Sequence, residues 1–341
     1  MANTTVPAEL INTATPLGRR NILINGDFGI YQRAQQVTGI GASTGYFTAD
    51  RWHIDTGDSA GRFTMTAGTA DAPAESNVTT SMKLDCTTAD TSIAAGEYLT
   101  LNQKIEGQNI QHIKKGTSGA KQLTASFWVK GNASATYVVE LYDVDNARQI
   151  SKTFAVTSSW SKIELTFPAD TTGAFGNDAN NSLVMNIWIH AGSTFTSGTL
   201  NSSAWAAQTA ANRAAGISSF YSSTSNELYI TAVQLEVDDV ATEFEILSRG
   251  ERDALCHRYY LVQRYSIEDP AATAGGQYAH SMLQWNMRAA PSGTLTVGSR
   301  SNVNSTAFYN QQTTGGRVEI QSAAAGRFYD LDGIIALDAE L

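Results

Sequence analysis

Short runs in which apolar and polar residues alternate recur along this chain, and they constrain its fold more than any other feature. Residues 62–66 (RFTMT) and 81–86 (SMKLDC) alternate as half-buried β-strands do. The most apolar run, 183–190 (LVMNIWIH), is predicted to be a central strand. Because turn-forming residues separate these runs at short intervals, the chain is predicted to be all-β, with a sandwich or barrel.

The strand pattern covers most of the chain up to residue 236 and is interrupted once. The predicted strands of this part are 21–24, 51–54, 62–66, 81–86, 98–105, 122–130, 136–142, 148–156, 161–167, 183–190 and 228–236. The interruption, residues 193–225, is rich in Ser, Thr, Ala, Asn and Gly. A loop of this length inside a compact domain is unusual and often functional.

A domain boundary is predicted where the only helical pattern begins, at residue 248. Ser248 is followed three residues later by Glu251, which is the spacing of a capping box. Short strand candidates follow and predict a small C-terminal β domain: 281–286, 293–298, 317–321 and 329–337. The predicted organisation is an extended arm at 1–20 for attachment or oligomer contact, a β-sandwich at 21–247, and a short helix with a small β domain at 248–341.

The charge balance argues against one class of partner. The formal net charge is -9, and the only adjacent basic residues are Arg19-Arg20 and Lys114-Lys115. Nucleic-acid binders gain most of their affinity by neutralising phosphates, so nucleic acid is not an expected partner. No apolar run approaches the roughly 18 residues of a membrane span, and no secretory signal is visible, so membrane insertion is not expected.

The cysteines and carboxylates suggest little metal chemistry. Cys86 and Cys256 lie far apart and lack zinc-type spacing, so we predict two free, buried thiols. A structural Ca²⁺ is the one cofactor that the sequence suggests, because calcium prefers oxygen ligands. Asp27, Asp50 and Glu236 would converge on it if the first and last strands of the sandwich pair.

Four stretches follow one another in an order and spacing that together carry a family resemblance. They are 21–28 with 31–33 (NILINGDF and YQR), 49–52 (ADRW), 233–245 (VQLEVDDVATEFE) leading into 249–260, and 287–292 (MRAAPS). In combination they resemble bacteriophage tail-fibre and virion-appendage proteins that have a jelly-roll domain like that of carbohydrate-binding modules. The resemblance implies a jelly-roll-like β-sandwich and a structural or receptor-binding role in the virion.

Further expectations follow from this resemblance. We expect a tail-fibre or tail-appendage subunit, assembled in the host cytoplasm, that forms a homotrimer and contacts other virion proteins through the arm at 1–20. A host surface polysaccharide is the expected ligand. A head fibre or capsid-decorating protein is the alternative, and the sequence does not separate the two.

An enzyme that degrades polysaccharide is less expected, and no catalytic residue is predicted. Carboxylate pairs such as Asp143 and Asp145 lie at turns, where aspartate serves as a turn former. Glycans are recognised by exposed aromatic rings with polar groups beside them. Trp205, Phe220 and Tyr221 in the polar segment are therefore the candidate glycan contacts. Tyr309 and Tyr329 are further candidates in the C-terminal domain, and core packing or subunit contact explains each of the five equally well.

Overall fold

The chain forms two compact units, both built mainly of β-strands, and the boundary between them follows Leu247. The computed structural model describes residues 19–341, apart from the side chains of 279–284 and 310. The predicted arm therefore lies outside the described residues except for Arg19 and Arg20. None of the helices in the described part of the chain is long and apolar enough to cross a membrane.

Between residues 19 and 247, the first unit has thirteen strands and one short α-helix. They are β1 (Gln36–Ile40), β2 (Gly45–Tyr46), β3 (His53–Gly57), β4 (Arg62–Thr69), β5 (Ser81–Thr88), β6 (Tyr98–Glu106), β7 (Leu123–Gly131), β8 (Ala135–Asp143), β9 (Arg148–Val156), β10 (Ser161–Phe167), β11 (Asn181–Ala191), α1 (Ser193–Thr196), β12 (Ala206–Ala207) and β13 (Glu227–Glu236).

These strands form two antiparallel sheets that enclose one hydrophobic core. Sheet A has the order β1-β4-β5-β13-β7-β10, and sheet B has the order β12-β9-β8-β11-β6-β3-β2. Phe63 and Phe127 of sheet A are fully buried in the same core cluster as Leu101 and Ile187 of sheet B. The predicted all-β, jelly-roll-like sandwich is confirmed.

Strand β11 shows how the sequence pattern produces this arrangement. It pairs with β6 on one side and β8 on the other, so the prediction of a central strand is confirmed. Leu183, Met185 and Ile187 belong to the main core. Trp188 instead packs with Val138 in a second cluster, on the opposite face of sheet B. One face of β11 therefore builds the core, and the other faces a separate surface.

The opening stretch 21–24 is not a strand, contrary to the prediction. Its residues are buried but lie in irregular backbone and bends. The Asn21 side chain, and not a ladder of backbone hydrogen bonds, holds this stretch against β13. Its Nδ2 donates to the Val233 carbonyl at 3.0 Å, and its Oδ1 accepts from the Leu235 amide at 3.1 Å. The same Oδ1 accepts from the Leu23 amide, a local bond that favours a bend over an extended strand.

The second unit contains one helix and seven strands. They are α2 (Arg249–His257), β14 (Tyr260–Ala271), β15 (Gln277–Gln284), β16 (Ser292–Thr296), β17 (Ser299–Ser301), β18 (Val303–Gln312), β19 (Gly315–Ser322) and β20 (Gly326–Asp338). Ser248 and Glu251 form the predicted capping box at the start of α2. Two small sheets, β14-β20-β16 with β17 beside β20, and β15-β19-β18, share a core that includes Phe328 and Ile335. Within residues 19–341, Cys86 and Cys256 are buried and are not joined in a disulfide, as predicted.

Candidate functional site

A pocket of about 270 Å³ opens on the face of sheet B that points away from the main core. We call it the sheet-face pocket. Its lining residues come from β3, β6, β11 and the polar segment that follows β11: Asp55, Tyr98, Thr100, Asn186, Trp188, Phe195 and Arg213. Three paired strands thus form its floor, and the irregular segment forms part of its wall.

The register of the strands places the floor residues beside one another. Asp55 on β3 lies opposite Thr100 on β6, and Thr100 lies opposite Trp188 on β11. One step along the strands on the same face, Asn102 lies opposite Asn186. The Asn102 Nδ2 donates to the Thr100 Oγ1 at 3.1 Å, so the two rows are also linked to each other.

An ion pair attaches the polar segment to the sheet. Arg213 donates from Nε and Nη2 to the two carboxylate oxygens of Glu140, each at 2.8 Å. Asn186 and Trp188 donate to the same carboxylate at 2.9 Å each, and Glu140 is fully buried. The Arg213 guanidinium also lies 4.8 Å from the ring centre of Trp188. This network fixes the position of the pocket wall, because every Glu140 bond is charge-assisted.

The other wall is aromatic and ends in a carboxylate. Tyr98 lies 5.2 Å from Phe195 and 5.9 Å from Trp188, measured between ring centres. Its hydroxyl donates to Asp55 at 3.1 Å, and Thr44 donates to the same oxygen at 3.0 Å. Burial and the neighbouring Asp55 carboxylate raise the pKa of Tyr98 to about 12. Tyr98 is therefore a neutral hydrogen-bonding group at physiological pH.

The pocket therefore combines aromatic surface with polar groups of several kinds. Rings supply apolar area, while the Asp55 carboxylate, the Asn186 amide and the Thr100 hydroxyl supply directional hydrogen bonds. Small-molecule sites typically have this composition, with a few polar groups that fix the orientation of the ligand. Chemically, the arrangement suits a ligand that has both hydroxyl groups and flat apolar faces.

Trp205, the first predicted glycan contact, covers a buried group of charges instead of lining this pocket. Its ring lies 5.5 Å from the Lys115 ammonium, and its Nε1 donates to the Pro168 carbonyl at 2.9 Å. Lys115 is almost completely buried and pairs with both Asp143 and Asp170. The half-buried Trp205 shields these ion pairs from water.

The prediction that Phe220 and Tyr221 contact a glycan is wrong. Both side chains are fully buried in the main core. They lie in a turn of 3-10 helix, in which Ser219 accepts a hydrogen bond from the Tyr221 amide. Phe220 packs edge-on against Phe63 with ring centres 6.1 Å apart. The polar segment folds back over the end of the sandwich here, so neither ring faces solvent.

In the second unit, the two tyrosines that the sequence suggested remain predictions. Tyr309 is exposed, with the Arg317 guanidinium 5.9 Å from its ring centre, and Tyr329 is half-buried.

The three predicted calcium ligands do not form a site. Within residues 19–341, no group of three potential metal ligands is arranged to hold an ion. Asp50 accepts from the Gln32 amide at 3.0 Å, and Glu236 accepts from the Thr242 amide at 2.9 Å and hydroxyl at 2.7 Å. Asp27 accepts a hydrogen bond at its carbonyl, from Thr80. The Asp50 and Glu236 carboxylates are satisfied by protein donors, so the calcium prediction for this trio is corrected.

The residues that line the sheet-face pocket follow no pattern that is visible in the sequence alone. One signal could have identified Arg213: it is the only charged residue between 193 and 225. A single charge in a long polar segment has to find a partner or remain in water. The alternation of β11 also places Trp188 on the opposite face from Ile187, away from the main core.

No protein-family model matches the sequence, and no curated protein resembles it closely enough to count as a relative. Similar solved structures include the enzymatically active domain of tailspike protein 4 of bacteriophage CBA120, with 12% identity, a TM-score of 0.33, and coverage of 64% of this chain and 21% of that chain.

Two other similar structures are carbohydrate-binding modules. TmCBM61 in complex with β-1,4-galactotriose has 11% identity and a TM-score of 0.31, covering 64% of this chain and all of that chain. The family 11 carbohydrate-binding module from Clostridium thermocellum, in complex with a mixed-linked tetrasaccharide, has 11% identity and a TM-score of 0.29, covering 61% of this chain and 98% of that chain. This chain spans about a fifth of the length of the tailspike chain.

Proposed function

We propose that this chain is a carbohydrate-binding subunit of a bacteriophage tail appendage and that the sheet-face pocket binds a glycan of the host surface. The observation that carries the proposal is the pocket itself. The aromatic wall of Tyr98 and Phe195 stands beside the polar groups of Asp55 and Asn186. The apolar face of a pyranose ring would pack against the aromatic wall, and its hydroxyl groups would bond to the polar groups.

The charges of the pocket favour an uncharged sugar. Arg213, the one basic residue among its lining residues, is neutralised by the buried Glu140 carboxylate. Asp55 adds a negative charge at the opposite wall. A uronic or sialic acid would meet like charge there, which is unfavourable in a partly desolvated site. Uncharged hexoses and N-acetylhexosamines are therefore the preferred ligands.

We propose binding without hydrolysis. Glycoside hydrolysis needs one carboxyl group that donates a proton and a second one that acts as base or nucleophile. Glu140 is buried and has both oxygens engaged by Arg213. Asp55 accepts hydrogen bonds from Tyr98 and Thr44 at the pocket edge. Neither carboxyl group is arranged to act as the proton donor, base or nucleophile of glycoside hydrolysis.

The virion role is supported by the sequence resemblance of the stretches between 21 and 292. We propose a homotrimeric tail-appendage subunit that joins other virion proteins through residues 1–20. Immunogold labelling of particles tests its position: label at the tail supports the proposal, and label at the head supports the alternative of a head fibre. Light scattering of the purified chain tests the trimer.

Binding to the pocket is tested with a glycan array followed by calorimetry on the best glycan. Tyr98→Ala should weaken binding at least tenfold by removing ring surface and the hydroxyl that contacts Asp55. Tyr31→Ala, which removes an exposed tyrosine outside the pocket, is the matched control and should bind as the natural chain does. Equal affinity for all three proteins would rule out this pocket. Incubation with the polysaccharide should release no reducing ends.

A further inference from the structure

A buried group of ionisable side chains lies at the end of the sandwich next to the sheet-face pocket. We call Asp90, Glu97 and His190 the acid cluster. All three are at least nine-tenths buried. The His190 Nε2 lies 3.5 Å from the Glu97 Oε2, and the Asp90 carboxyl group is close enough to help raise the pKa of Glu97.

The acid cluster is only partly satisfied. Asp90 accepts from the Ala60 and Ser92 amides at 3.0 and 3.1 Å, and His190 Nδ1 shares a 2.8 Å hydrogen bond with Ser219. In contrast, the Glu97 Oε2 and the His190 Nε2 are buried without a hydrogen-bond partner. The 3.5 Å between them exceeds a good hydrogen bond. Buried polar atoms without a hydrogen-bond partner are costly, so adding a proton to one of them changes the stability of this site.

The backbone connects the acid cluster directly to the aromatic wall of the pocket. Glu97 immediately precedes Tyr98, and its carbonyl accepts from the Gly192 amide at 2.8 Å. Two residues before Gly192 lies His190, and the Phe195 amide donates to the Gly192 carbonyl at 3.0 Å. The strand that carries Tyr98 and the turn that carries Phe195 are therefore joined at the acid cluster.

We propose that the acid cluster makes the sheet-face pocket sensitive to pH: protonation of His190 loosens residues 192–196, displaces the aromatic wall and weakens ligand binding. The predicted loss of ligand binding rests on the proposed function. The movement of the wall is a property of the chain alone. A protein with such a cluster would hold its ligand at neutral pH and release it in acid.

The surroundings of His190 set the direction of the effect. The ionisable groups that influence His190 or its neighbours are Asp58 after β3, Asp90 after β5, Glu97 just before β6 and Tyr221 in the 3-10 turn. Arg62 and Cys86 act on Tyr221. Burial lowers the pKa of His190 to about 4, and the Asp90 charge opposes this shift. Burial and Asp90 raise the pKa of Glu97.

These shifts act in opposite directions as the pH falls. The fold favours neutral His190, so its contribution to stability is complete above about pH 6.5 and is lost toward pH 4. The raised pKa of Glu97 lets the folded chain take up a proton early, which offsets part of this loss. A charged His190 then has no ionised Glu97 beside it and is buried at a cost, which is relieved when residues 192–196 open to water. The Asp90 charge offsets part of this cost.

Hydrogen exchange of the full chain between pH 7.5 and 3.5, corrected for intrinsic rates, tests the movement. We expect the protection of 192–196 to fall at least tenfold, while 123–131 in sheet A stays protected. His190→Gln should abolish the pH response. His53→Gln is the matched control, because His53 is also buried but lies outside the cluster, and it should keep the response. Asp90→Asn, which leaves His190 in place, should move the midpoint to lower pH.

Two results would overturn the proposal. One is pH-independent protection of 192–196, and the other is a parallel loss in 123–131, which would mean global unfolding. Calorimetry at pH 7.5 and 4.0 then measures the effect on affinity, expected to be at least twofold, because about half of His190 is charged at pH 4. Absence of glycan binding at pH 7.5 would refute the proposed function, whereas the exchange data would still decide the behaviour of the acid cluster.

Discussion

Arg213 and Glu140 form the structural connection between the irregular segment after β11 and the face of sheet B. The two hydrogen bonds of 2.8 Å are parallel and charge-assisted, and the carboxylate is fully buried. Glu140 depends on Arg213 for its only charged partner among the hydrogen bonds and ion pairs described. The pair therefore determines both the position of the segment and the shape of the sheet-face pocket.

Arg213→Ala should destabilise the sandwich by about 3–5 kcal/mol, because it leaves a buried carboxylate without its counter-charge. Urea denaturation of the natural chain and the variant measures this difference. Adding Glu140→Gln to Arg213→Ala should recover part of the loss, since an amide is cheaper to bury than a charge. If the double variant is less stable than Arg213→Ala alone, the burial of the unpaired charge is not the cause.

Trp205→Ala should lower stability by about 1–3 kcal/mol without changing glycan affinity. Trp205 covers the ion pairs of Lys115 with Asp143 and Asp170, so its removal lets water reach them. Thermal denaturation and calorimetry on the same samples separate the two effects. Trp205→Phe keeps most of the cover and is the control. A large loss of affinity with Trp205→Ala would restore Trp205 as a glycan contact.

The sequence predicted the strands well and the candidate site poorly, for a physical reason. Strand alternation depends on which residues face the core, and this pattern is local, so β11 could be identified. The sheet-face pocket depends on strand register and on the return path of 193–225, which no local pattern encodes. Phe220 and Tyr221 look like exposed aromatics in a polar segment, yet their large apolar area is buried when the segment folds back.

The opening residues show a related limit. The run 21–24 has the composition of a strand, but Asn21 binds β13 through its side chain. Asparagine competes with the backbone for such bonds, and a pattern of hydrophobicity does not register this.

Folding stability should decrease as the pH falls from 6.5 toward 4, because two histidines are buried in neutral form. Burial, followed by the Lys104 charge, lowers the pKa of His53 to about 4, and burial lowers that of His190 to about 4. Both groups stabilise the fold above the unfolded pKa, and this contribution disappears as each becomes charged. Each contributes on the order of 3 kcal/mol at most. The raised pKa of Glu97 offsets part of this loss of stability as the pH falls.

Urea denaturation at pH 7.0 and 4.5 measures this dependence. His53→Asn should flatten the curve by removing one of the histidines whose pKa burial lowers. A variant with an unchanged pH dependence would show that His53 does not contribute.

Gly61→Ala should destabilise the sandwich by roughly 1–3 kcal/mol through overpacking. A Cβ at Gly61 would lie 2.3 Å from the Tyr221 ring, which is a severe overlap. The ring has little room to move, because His190 lies 5.0 Å from its centre on one side and Phe63 lies 6.4 Å away. Gly96→Ala is the matched control, since its Cβ would meet nothing within 4 Å.

Thermal denaturation of both glycine variants decides this prediction. Gly96→Ala should be neutral or slightly stabilising, because alanine restricts the unfolded chain. A combined variant, Gly61→Ala with Tyr221→Leu, should recover part of the stability if the overlap with the ring is the cause. Equal melting temperatures for Gly61→Ala and the natural chain would mean that Tyr221 is not held between His190 and Phe63, and the packing next to the acid cluster would then be looser than the structure shows.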